Sequence, residues 1–377
     1  MFLFASNHLN KGAIKTVKLN KPLCQSIINS MPHQVAILDR KGEIIAINEK
    51  WERFCLENDG RLSECRVGGN YLELSGKAVQ LGIMSVLQGK KEVFHYEYPS
   101  HSPNEMRWFE MVVTPIKQLP DLLNMEGVVI THLNITDRKR LIMQQQKDFA
   151  LAQAIQKSVL VPPISNNDMM INALFCPSRH LSGDLYLWYQ IDADRYGVIL
   201  LDIMGQGVAS SLISMSLRSL LPGIIRRVSD PNRVYAELHK HFHSLFKTVI
   251  SSKHYFCTGI YLYIDAKEKM ISYFNAGHPA GVMVGDGRSQ FLKQTTTPIG
   301  LSERAEPVSQ KINYEKNDQL ALFTDGVAGT LRMTVRESEH YMLSIADEWH
   351  PERLEELGKR EFAGEQADDI AIISIKL

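Results

Sequence analysis

Three features that define many protein classes are missing from this chain: clustered cysteines, a long apolar run and a net charge. Its 377 residues include five cysteines, which are scattered and form no Cys-x-x-Cys pair. This spacing argues against a disulfide framework and favours free thiols in a reducing compartment. No stretch approaches the roughly 18 apolar residues of a membrane helix, and the run Met1–Phe4 is shorter than a signal-peptide core. We therefore expect a cytoplasmic protein with no membrane span.

The charge balance argues against a general nucleic-acid-binding protein. Lysine plus arginine and aspartate plus glutamate each number 42, so the formal net charge is zero. A general nucleic-acid binder would carry a basic surface, whereas the strongest basic cluster here is the short run 138–140, which is typical of a solvated helix start. The composition is otherwise that of a soluble globular protein, and the length is sufficient for two domains.

The region up to residue 137 contains a polar leader at 1–22 and then a pattern of short strands. Residues 35–39 and 43–48 are apolar runs on either side of a turn at Gly42, which predicts a hairpin. Residues 49–58 have helical periodicity. Three later strand-like runs complete a predicted five-stranded antiparallel sheet with helices: 93–98, 107–114 and 128–134.

Two motifs in this region resemble those of a PAS sensor domain. The segment MPHQVAILD at 31–39 is similar to the start of a PAS domain, and GVVITHLNITDR at 127–138 is similar to its exit into a signalling helix. The resemblance implies a PAS fold for residues 23–137. The ligand of this domain stays unknown, because no residue stands out by context as a haem ligand or a flavin-attaching cysteine among His33, His95, His101, His132, Cys55 and Cys65.

A polar helix is predicted at 137–160, and residues 138–168 are interpreted as a signalling helix and linker that Val161-Pro162-Pro163 interrupts. One heptad register places at its core positions Ile142, Phe149, Gln156, Gln145, Ala152 and Val159. The two glutamines make this seam weak. Two alternatives stay open: a helix through which the protein forms a homodimer, or an amphipathic helix packed on its own domain.

Four acidic motifs stand in residues 169–377, each beside a glycine or a second aspartate. They are Ser182-Gly183-Asp184, Asp202-Ile203-Met204-Gly205-Gln206-Gly207, Thr324-Asp325-Gly326 and Asp368-Asp369. Asp202 and Asp325 end apolar runs and Asp368 precedes one, so strands would deliver these carboxylates to the edge of a sheet. One such aspartate is typically a turn former or a helix cap. Four together favour a site for hard divalent cations, which prefer oxygen ligands.

The same region is predicted to consist mainly of strands, with a few long helices. The strand-like runs are 171–176, 184–191, 196–202, 258–265, 270–275, 281–284, 319–323 and 370–376. The helical runs are 209–227, 231–250 and 351–362. Taken with the first region, this pattern predicts an α+β protein.

The acidic motifs, in this order, resemble those of the SpoIIE-type branch of the metal-dependent (PPM) protein phosphatases. The resemblance extends to AIQKSVLVP at 154–162, FNAGHP at 274–279 and TPIGL at 297–301. It implies an α-β-β-α sandwich over residues 169–377 that holds two Mn²⁺ or Mg²⁺ ions at one end. Paired cations of this kind activate water, so that the enzyme needs no cysteine or serine nucleophile.

The resemblance also implies catalytic and metal-binding roles for the acidic residues. Asp202 would bridge both metals, and Ile203 would contribute its backbone carbonyl. Asp325 and Asp368 would complete the coordination of the second metal ion. Asp184 would hold metal-bound water or a further ion.

Some positions depart from the family pattern or have an open role. Asp369 is the less certain ligand, because neighbouring side chains on a strand face opposite ways. Arg179 is a candidate for contacting substrate phosphate as a fork donor, with a surface role as the alternative. The family often has histidine at the position of Gln206, glycine at Ser182 and an acid at Leu187, but none of these differences removes a central ligand.

Other signals in this region are weaker. A dinucleotide fingerprint at Gly205-Gln206-Gly207 would need a further glycine where the chain has Ser210. His239 and His243 are four residues apart and could hold a metal, but no partner ligand is evident and a solvated or half-buried helix face is favoured. We expect His278 to shape a loop rather than to catalyse.

The motifs and the resemblance together predict a PAS-regulated, metal-dependent serine/threonine phosphatase. The substrate implied by the resemblance is a phosphorylated anti-sigma-factor antagonist of the STAS type. The alternative is a non-catalytic sensor or scaffold that binds a partner through a phosphatase-like fold. A kinase is not supported, because no phosphate-cradling glycine loop with a lysine is present.

Overall fold

The computed structural model describes residues 21–57, 66–101, 105–116, 126–178, 181–246, 255–303, 306–364 and 366–377. The chain forms two compact units, Met1–Gln145 and Gln146–Leu377, and the boundary falls inside the helix Thr136–Ser158. Most of the predicted leader lies outside the described residues, as do Arg179 and Cys65.

The first unit is built on the predicted five-stranded antiparallel sheet, in the order β2-β1-β5-β4-β3. Its core is formed by buried apolar side chains of the sheet and of one helix, including Leu38, Ile83 and Val113. The elements are α1 (Lys21–Ser30), β1 (Gln34–Asp39), β2 (Ile44–Ile47), α2 (Glu49–Glu57), α3 (Tyr71–Leu74), α4 (Lys77–Leu87), β3 (Phe94–Pro99), β4 (Trp108–Pro115) and β5 (Gly127–Asn134).

Helix α1 has no counterpart in the sequence prediction. Among its described side chains only Ile28 is buried, so the helix has little apolar periodicity to reveal it. A buried polar residue anchors it instead: the Asn48 amide nitrogen donates to the carbonyl of Ile28 over 3.1 Å. The Asn48 amide oxygen accepts a hydrogen bond from the backbone of Val35 in β1.

A polar cluster lies inside the first unit, around His132 of β5. Its Nδ1 is 2.5 Å from the hydroxyl oxygen of Tyr98, and its Nε2 is 3.3 Å from the hydroxyl oxygen of Tyr71. The Trp51 ring lies against it at a centroid distance of 5.1 Å. Burial lowers the pKa of His132 to about 4, so the imidazole is neutral near pH 7.

Helix α5 (Thr136–Ser158) agrees closely with the predicted helix, but its predicted seam needs correction. Gln156 is buried against its own chain, because its side-chain amide exchanges two hydrogen bonds with the backbone of Ser182, of 2.8 and 3.1 Å. Three strongly exposed apolar side chains, Leu141, Leu151 and Ile155, lie outside the predicted core positions. Gln156 therefore cannot serve as a seam residue while these bonds persist.

The second unit contains two antiparallel sheets. The first has the order β14-β11-β10-β9-β8 and the second has the order β13-β12-β15-β16-β7-β6. Their strands are β6 (Ile164–Ser165), β7 (Met170–Cys176), β8 (Leu185–Gln190), β9 (Arg195–Ile203), β10 (Cys257–Asp265), β11 (Met270–Ala276), β12 (Gly281–Gly285), β13 (Arg288–Leu292), β14 (Gln310–Asn313), β15 (Gln319–Phe323) and β16 (Ile370–Lys376).

Helices cover the outer faces of both sheets, which confirms the α-β-β-α sandwich. The helices are α6 (Val208–Val228), α7 (Pro231–Phe246), α8 (Gly326–Leu331), α9 (Val335–Ser344) and α10 (Leu354–Glu361). Leu217 of α6 and Leu238 of α7 join the outer core of the first sheet. Met342 of α9 and Leu357 of α10 join that of the second sheet. The sequence pattern missed β6, β13, β14, α8 and α9.

Among the described residues, α6 alone is long and apolar enough to pass as a membrane span, with a mean hydropathy of 1.4. Its apolar side chains have another explanation. Ile213, Leu217 and Leu221 are buried against the first sheet, as in the core helix of a globular domain.

Candidate metal centre

The acidic motifs meet at one end of the two sheets. Asp202 lies next to the last residue of β9, and Asp325 follows β15. Asp184 directly precedes β8, and Asp368 with Asp369 precedes β16. Because β8 and β9 are antiparallel, as are β15 and β16, the end of one strand and the start of its neighbour share an edge. The motifs border a cleft of about 510 Å³ lined by Gly183, Asp184, Asp202, Met204, Gly205, Gln206, Phe256, Thr258, Asp325, Asp368 and Asp369.

Glycines let the acidic loops approach one another. A Cβ atom on Gly183 would stand 3.1 Å from the carbonyl oxygen of Ile203, and one on Gly326 would collide with the carbonyl oxygen of Asp369. Gly205 and Gly207 have positive φ angles of 94° and 90°, which favour glycine. The glycines of the motifs thus serve close packing at 183 and 326, and backbone conformation at 205 and 207.

Asp184 is the most deeply buried of the candidate aspartates, with 4% of its surface exposed. Its Oδ2 atom is buried and has no hydrogen-bond partner among the described residues. Burial, together with the negative charges of Asp202 and Asp369, raises its pKa well above the ordinary value. A buried, unpaired carboxylate oxygen is costly unless a cation or a proton compensates it.

Asp202 and Asp325 are neighbouring carboxyl groups whose pKa values are both raised. Burial first, and then the charges of Asp325 and Asp368, raise the pKa of Asp202 to about 7. Burial and the charge of Asp368 also raise the pKa of Asp325. The two carboxyl groups also interact directly, which raises the pKa of Asp202 further and lowers that of Asp325.

Asp325 occupies the N-cap position of α8, but its side chain accepts no capping hydrogen bond. The usual structural role of an aspartate at this position is therefore unfilled. The carboxylate lines the cleft instead.

The donor set fits divalent cations. The acidic side chains at the cleft offer only oxygen ligands, which Mg²⁺ and Mn²⁺ prefer. In the described part of the chain, the side chains as they stand form no group of three or more His, Cys, Asp or Glu that could hold a metal ion, so the carboxylates would have to draw together around one. An open arrangement suits a cation that keeps several water ligands, as Mg²⁺ does.

Asp368 and Asp369 have different surroundings although they are neighbours. Asp369 is buried, and its carboxylate accepts hydrogen bonds from the backbone and hydroxyl of Ser178, at 2.7 and 2.9 Å, and from the backbone of Gly183, at 3.0 Å. Asp368 is half-buried, and its Oδ1 accepts a 3.0 Å hydrogen bond from the side-chain amide of Gln206. Both residues line the cleft, but Asp369 is bound to the loop that carries Asp184, whereas Asp368 is bound to Gln206.

Three residues at the cleft were not singled out as site residues from the sequence: Thr258, Phe256 and Met204. The Thr258 hydroxyl is hydrogen-bonded to Nδ1 of His278 over 3.0 Å. Burial lowers the pKa of His278 to about 3, so it supports Thr258 as a neutral ring. Thr258 lies directly opposite Asp202 in the pairing of β10 with β9, so a correct alignment of these two strands would have identified it.

Other sequence candidates lie elsewhere. Leu187 is buried in the apolar core beneath α6 and α7. His239 and His243 bring their Nε2 atoms to 3.0 Å from each other, and that of His243 lies 2.9 Å from the carbonyl of Ser302, away from the cleft. The Nδ1 of His239 accepts a hydrogen bond from the backbone of Gly300, so these histidines fix a loop rather than extend the acidic centre.

Comparisons with known proteins agree with this division into two units. The family described as "Stage II sporulation protein E (SpoIIE)" matches residues 192–377, and the family described as "PAS fold" matches residues 28–140. Residues 192–377 are thus similar to the SpoIIE family, and the first unit has a PAS fold. The SpoIIE match begins after Asp184, so the first acidic motif is assigned by the fold and not by that match.

Among curated relatives, "Phosphoserine phosphatase RsbP" of Bacillus subtilis (strain 168) is 43% identical over 186 residues, which is 49% of this chain and 46% of the relative. "Protein IcfG" of Synechocystis sp. is 28% identical over 221 residues, covering 50% of this chain and 34% of the relative. The matches thus span less than half of each relative. The solved SiaA-PP2C domain of Pseudomonas aeruginosa aligns with a TM-score of 0.51 and 19% identity over 64% of this chain and 99% of that domain, which supports the fold alone.

Proposed function

We propose that the chain is a PAS-regulated, metal-dependent protein serine/threonine phosphatase. One observation carries the proposal: aspartates from four separate motifs line a single cleft. Their burial and mutual repulsion raise the pKa of Asp184, Asp202 and Asp325. A set of carboxyl groups perturbed in this way is typical of a functional site and costs stability unless cations bind there.

The cofactors in this proposal are two divalent cations, Mn²⁺ or Mg²⁺. The residues that would hold them are Asp184, Asp202, Ile203 through its carbonyl, Asp325 and Asp368. When bound, the cations would neutralise the phosphate and lower the pKa of a water molecule. Asp369 would act indirectly, because its hydrogen bonds to Ser178 and Gly183 fix the loop that presents Asp184. Arg179 stays a candidate for contacting the substrate phosphate.

The substrate we propose is a phosphoserine or phosphothreonine on an anti-sigma-factor antagonist of the STAS type. Support comes from the name of the B. subtilis relative, which is a phosphoserine phosphatase. In this proposal the enzyme acts in the cytoplasm, forms a homodimer through α5, and is regulated by its PAS domain. The exposed Leu141, Leu151 and Ile155 of α5 are the apolar side chains that such a dimer would cover.

The direct test is phosphate release from p-nitrophenyl phosphate and from a phosphoserine peptide, with Mn²⁺, Mg²⁺ or EDTA. We expect the full chain to hydrolyse both in a metal-dependent way, and Asp202→Asn to be inactive. Equal activity of the wild type and Asp202→Asn would contradict the metal assignment. Metal binding by calorimetry without any hydrolysis would favour the alternative, a non-catalytic sensor or scaffold.

A further inference from the structure

A second concave surface lies on the outer side of the second unit, between the end of α8 and one face of α9 along its length. This open groove has a volume of about 750 Å³ and is lined by Leu331, Arg332, Met333, Arg336, Glu337, His340, Tyr341 and Ser344. Leu331, Met333 and Tyr341 are partly buried, whereas Arg332, Arg336 and His340 are exposed. The surface, called the arginine groove below, thus combines partly apolar lining with a cationic rim.

Two acidic side chains of α9 make hydrogen bonds of their own, although Glu337 lines the groove and keeps its negative charge, so that Arg332 and Arg336 leave the lining with a net positive charge. The Glu337 carboxylate accepts hydrogen bonds from the backbone and hydroxyl of Thr334, at 2.7 and 2.9 Å, and closes the capping box of α9. The Glu339 carboxylate accepts a 2.8 Å hydrogen bond from the backbone of Ala280. Within the described residues, neither Arg332 nor Arg336 is paired with a carboxylate.

The side chains of the groove are also ordered by their neighbours. The Nδ1–H of His340 donates a 2.8 Å hydrogen bond to the carbonyl of Arg336, and its ring lies 5.5 Å from that of Phe291. Arg332 has the left-handed backbone angles φ 56° and ψ 45° at the C-cap of α8. The two arginines therefore project from a defined helix end and helix turn.

The groove is close to the metal centre along the chain and in space. Asp325 is the N-cap of α8 and Arg332 is its C-cap, and a six-residue helix is about 9 Å long. Gly329 of α8 packs against Ala367, the residue before Asp368. A protein whose phosphorylated side chain entered the cleft would bury about 800 Å² of each partner, which is enough to reach this rim.

We propose that the arginine groove docks an acidic segment of the phosphoprotein substrate while its phosphorylated residue occupies the cleft. The inference rests on the proposed phosphatase function and adds the chemistry of the partner surface. Carboxylates several residues from the phosphoserine would pair with Arg332 and Arg336, which present fork-shaped donors. Such rim contacts increase the rate of productive encounter and the specificity for the partner, and they have less effect on the rate of the chemical step.

The test uses two synthetic phosphoserine peptides and the full chain with Mn²⁺. One peptide carries four aspartates on each side of the phosphoserine, at the fifth to the eighth positions from it. The control peptide carries asparagines at the same positions. Five extended residues span about 17 Å, which exceeds the length of α8. We expect kcat/KM for the acidic peptide to be roughly fivefold higher at low salt, and the advantage to disappear at high salt.

The variants are Arg332→Gln/Arg336→Gln and the matched control Arg226→Gln, which removes an exposed arginine from the last turn of α6. We expect the double variant to lose the preference for the acidic peptide and to keep the wild-type rate on p-nitrophenyl phosphate. The control should keep both properties. Circular dichroism melts would verify that all variants are folded.

The outcomes separate the two proposals. Equal kcat/KM of the wild type for the two peptides overturns the docking inference alone, as does a preference that survives in the double variant. Failure to hydrolyse either peptide overturns the proposed function, and the docking inference falls with it.

Discussion

The side-chain amide of Gln206 donates a 3.0 Å hydrogen bond to Oδ1 of Asp368. This contact joins residues that are far apart in the sequence. Because an amide does not titrate, Gln206 can hold the Asp368 carboxylate at any pH, whereas a histidine could be a pH-dependent partner. We therefore infer that Gln206 orients the Asp368 carboxylate, which is a candidate metal ligand.

We expect Gln206→Ala to weaken Mn²⁺ binding by roughly tenfold, because hydrogen-bonded neighbours orient metal ligands. Titration calorimetry would measure the affinity. Gln206→His keeps a donor and should restore most of the affinity, with a pH dependence that the wild type lacks. Unchanged affinity in Gln206→Ala would show that this hydrogen bond does not support the metal centre.

Asp202→Asn and Asp325→Asn should each abolish phosphatase turnover while the fold persists, because an amide is a poor ligand for hard cations. The losses should exceed a hundredfold in kcat, with a far-ultraviolet circular dichroism spectrum like that of the wild type. Asp286→Asn is the matched control, since Asp286 lies in the hairpin between β12 and β13 and is exposed. Retained turnover in both site variants would refute the assignment.

The stability of the metal-free protein should fall as the pH rises through 7. The pKa of Asp202 is raised from 3.8 to about 7 in the folded state, so the folded protein binds a proton that the unfolded chain releases between these values. Stability is therefore greatest at the acidic end of this window and is lost as Asp202 ionises.

Differential scanning fluorimetry with EDTA would test this between pH 5.5 and 8.5. The transition temperature should fall by several degrees across the range, and excess Mn²⁺ should restore it most strongly at high pH. Asp202→Asn should flatten the profile. A wild-type profile that rises with pH over this range would mean that the carboxylates do not repel one another as described.

Gly326→Ala should destabilise the second unit and reduce activity. Its methyl group would collide with the carbonyl oxygen of Asp369, so α8 or the start of β16 would have to shift. Gly329→Ala in the same helix is the control, because its nearest neighbour would be Ala367 at an ordinary 3.7 Å. Urea unfolding should show a loss of about 2 kcal/mol or more for Gly326→Ala and little change or a gain for Gly329→Ala.

Acid should loosen the PAS domain through His132. Its folded pKa of about 4 lies below the ordinary 6.5, so its stabilising contribution is complete above pH 6.5 and is lost as the pH falls through 4. Trp51 lies beside the ring and its fluorescence would report the change, with Trp51→Phe as the subtraction control. His132→Gln, which keeps a donor and an acceptor for Tyr71 and Tyr98, should move the acid transition to lower pH. An unmoved transition would assign acid unfolding to other groups.

Much of the fold could be predicted because its strands carry strong local signals. The clearest cases are β9, β15 and β16 of the second unit, which are nearly continuous apolar runs. The missed elements lack such signals: β13 reads Arg288–Leu292 with mostly exposed side chains, and β14 has one buried residue, Ile312. These edge strands form because neighbouring strands offer unpaired backbone groups, which is a tertiary effect.

The membership of the acidic cluster could be predicted, but the division of roles within it could not. Sequence spacing indicates that Asp368 and Asp369 face opposite ways, yet only the structure identifies Ser178 and Gly183 as the partners of Asp369. The same holds for His132, whose two tyrosine partners come from distant segments. Long-range hydrogen bonds leave no periodic trace in a sequence.

The adjacency of Asp368 and Asp369 makes the centre sensitive to the register of β16. Both faces of this strand are buried along nearly its whole length, so apolar burial alone would tolerate a slip by one residue. Such a slip would turn each side chain to the opposite face and exchange the two carboxylates. The Asp369 carboxylate, which now binds the neighbouring loop, would take the place of Asp368, and the Asp368 carboxylate would take the place of Asp369. A single residue inserted before this pair could therefore leave the sandwich folded while the positions of the Asp368 and Asp369 carboxylates are exchanged.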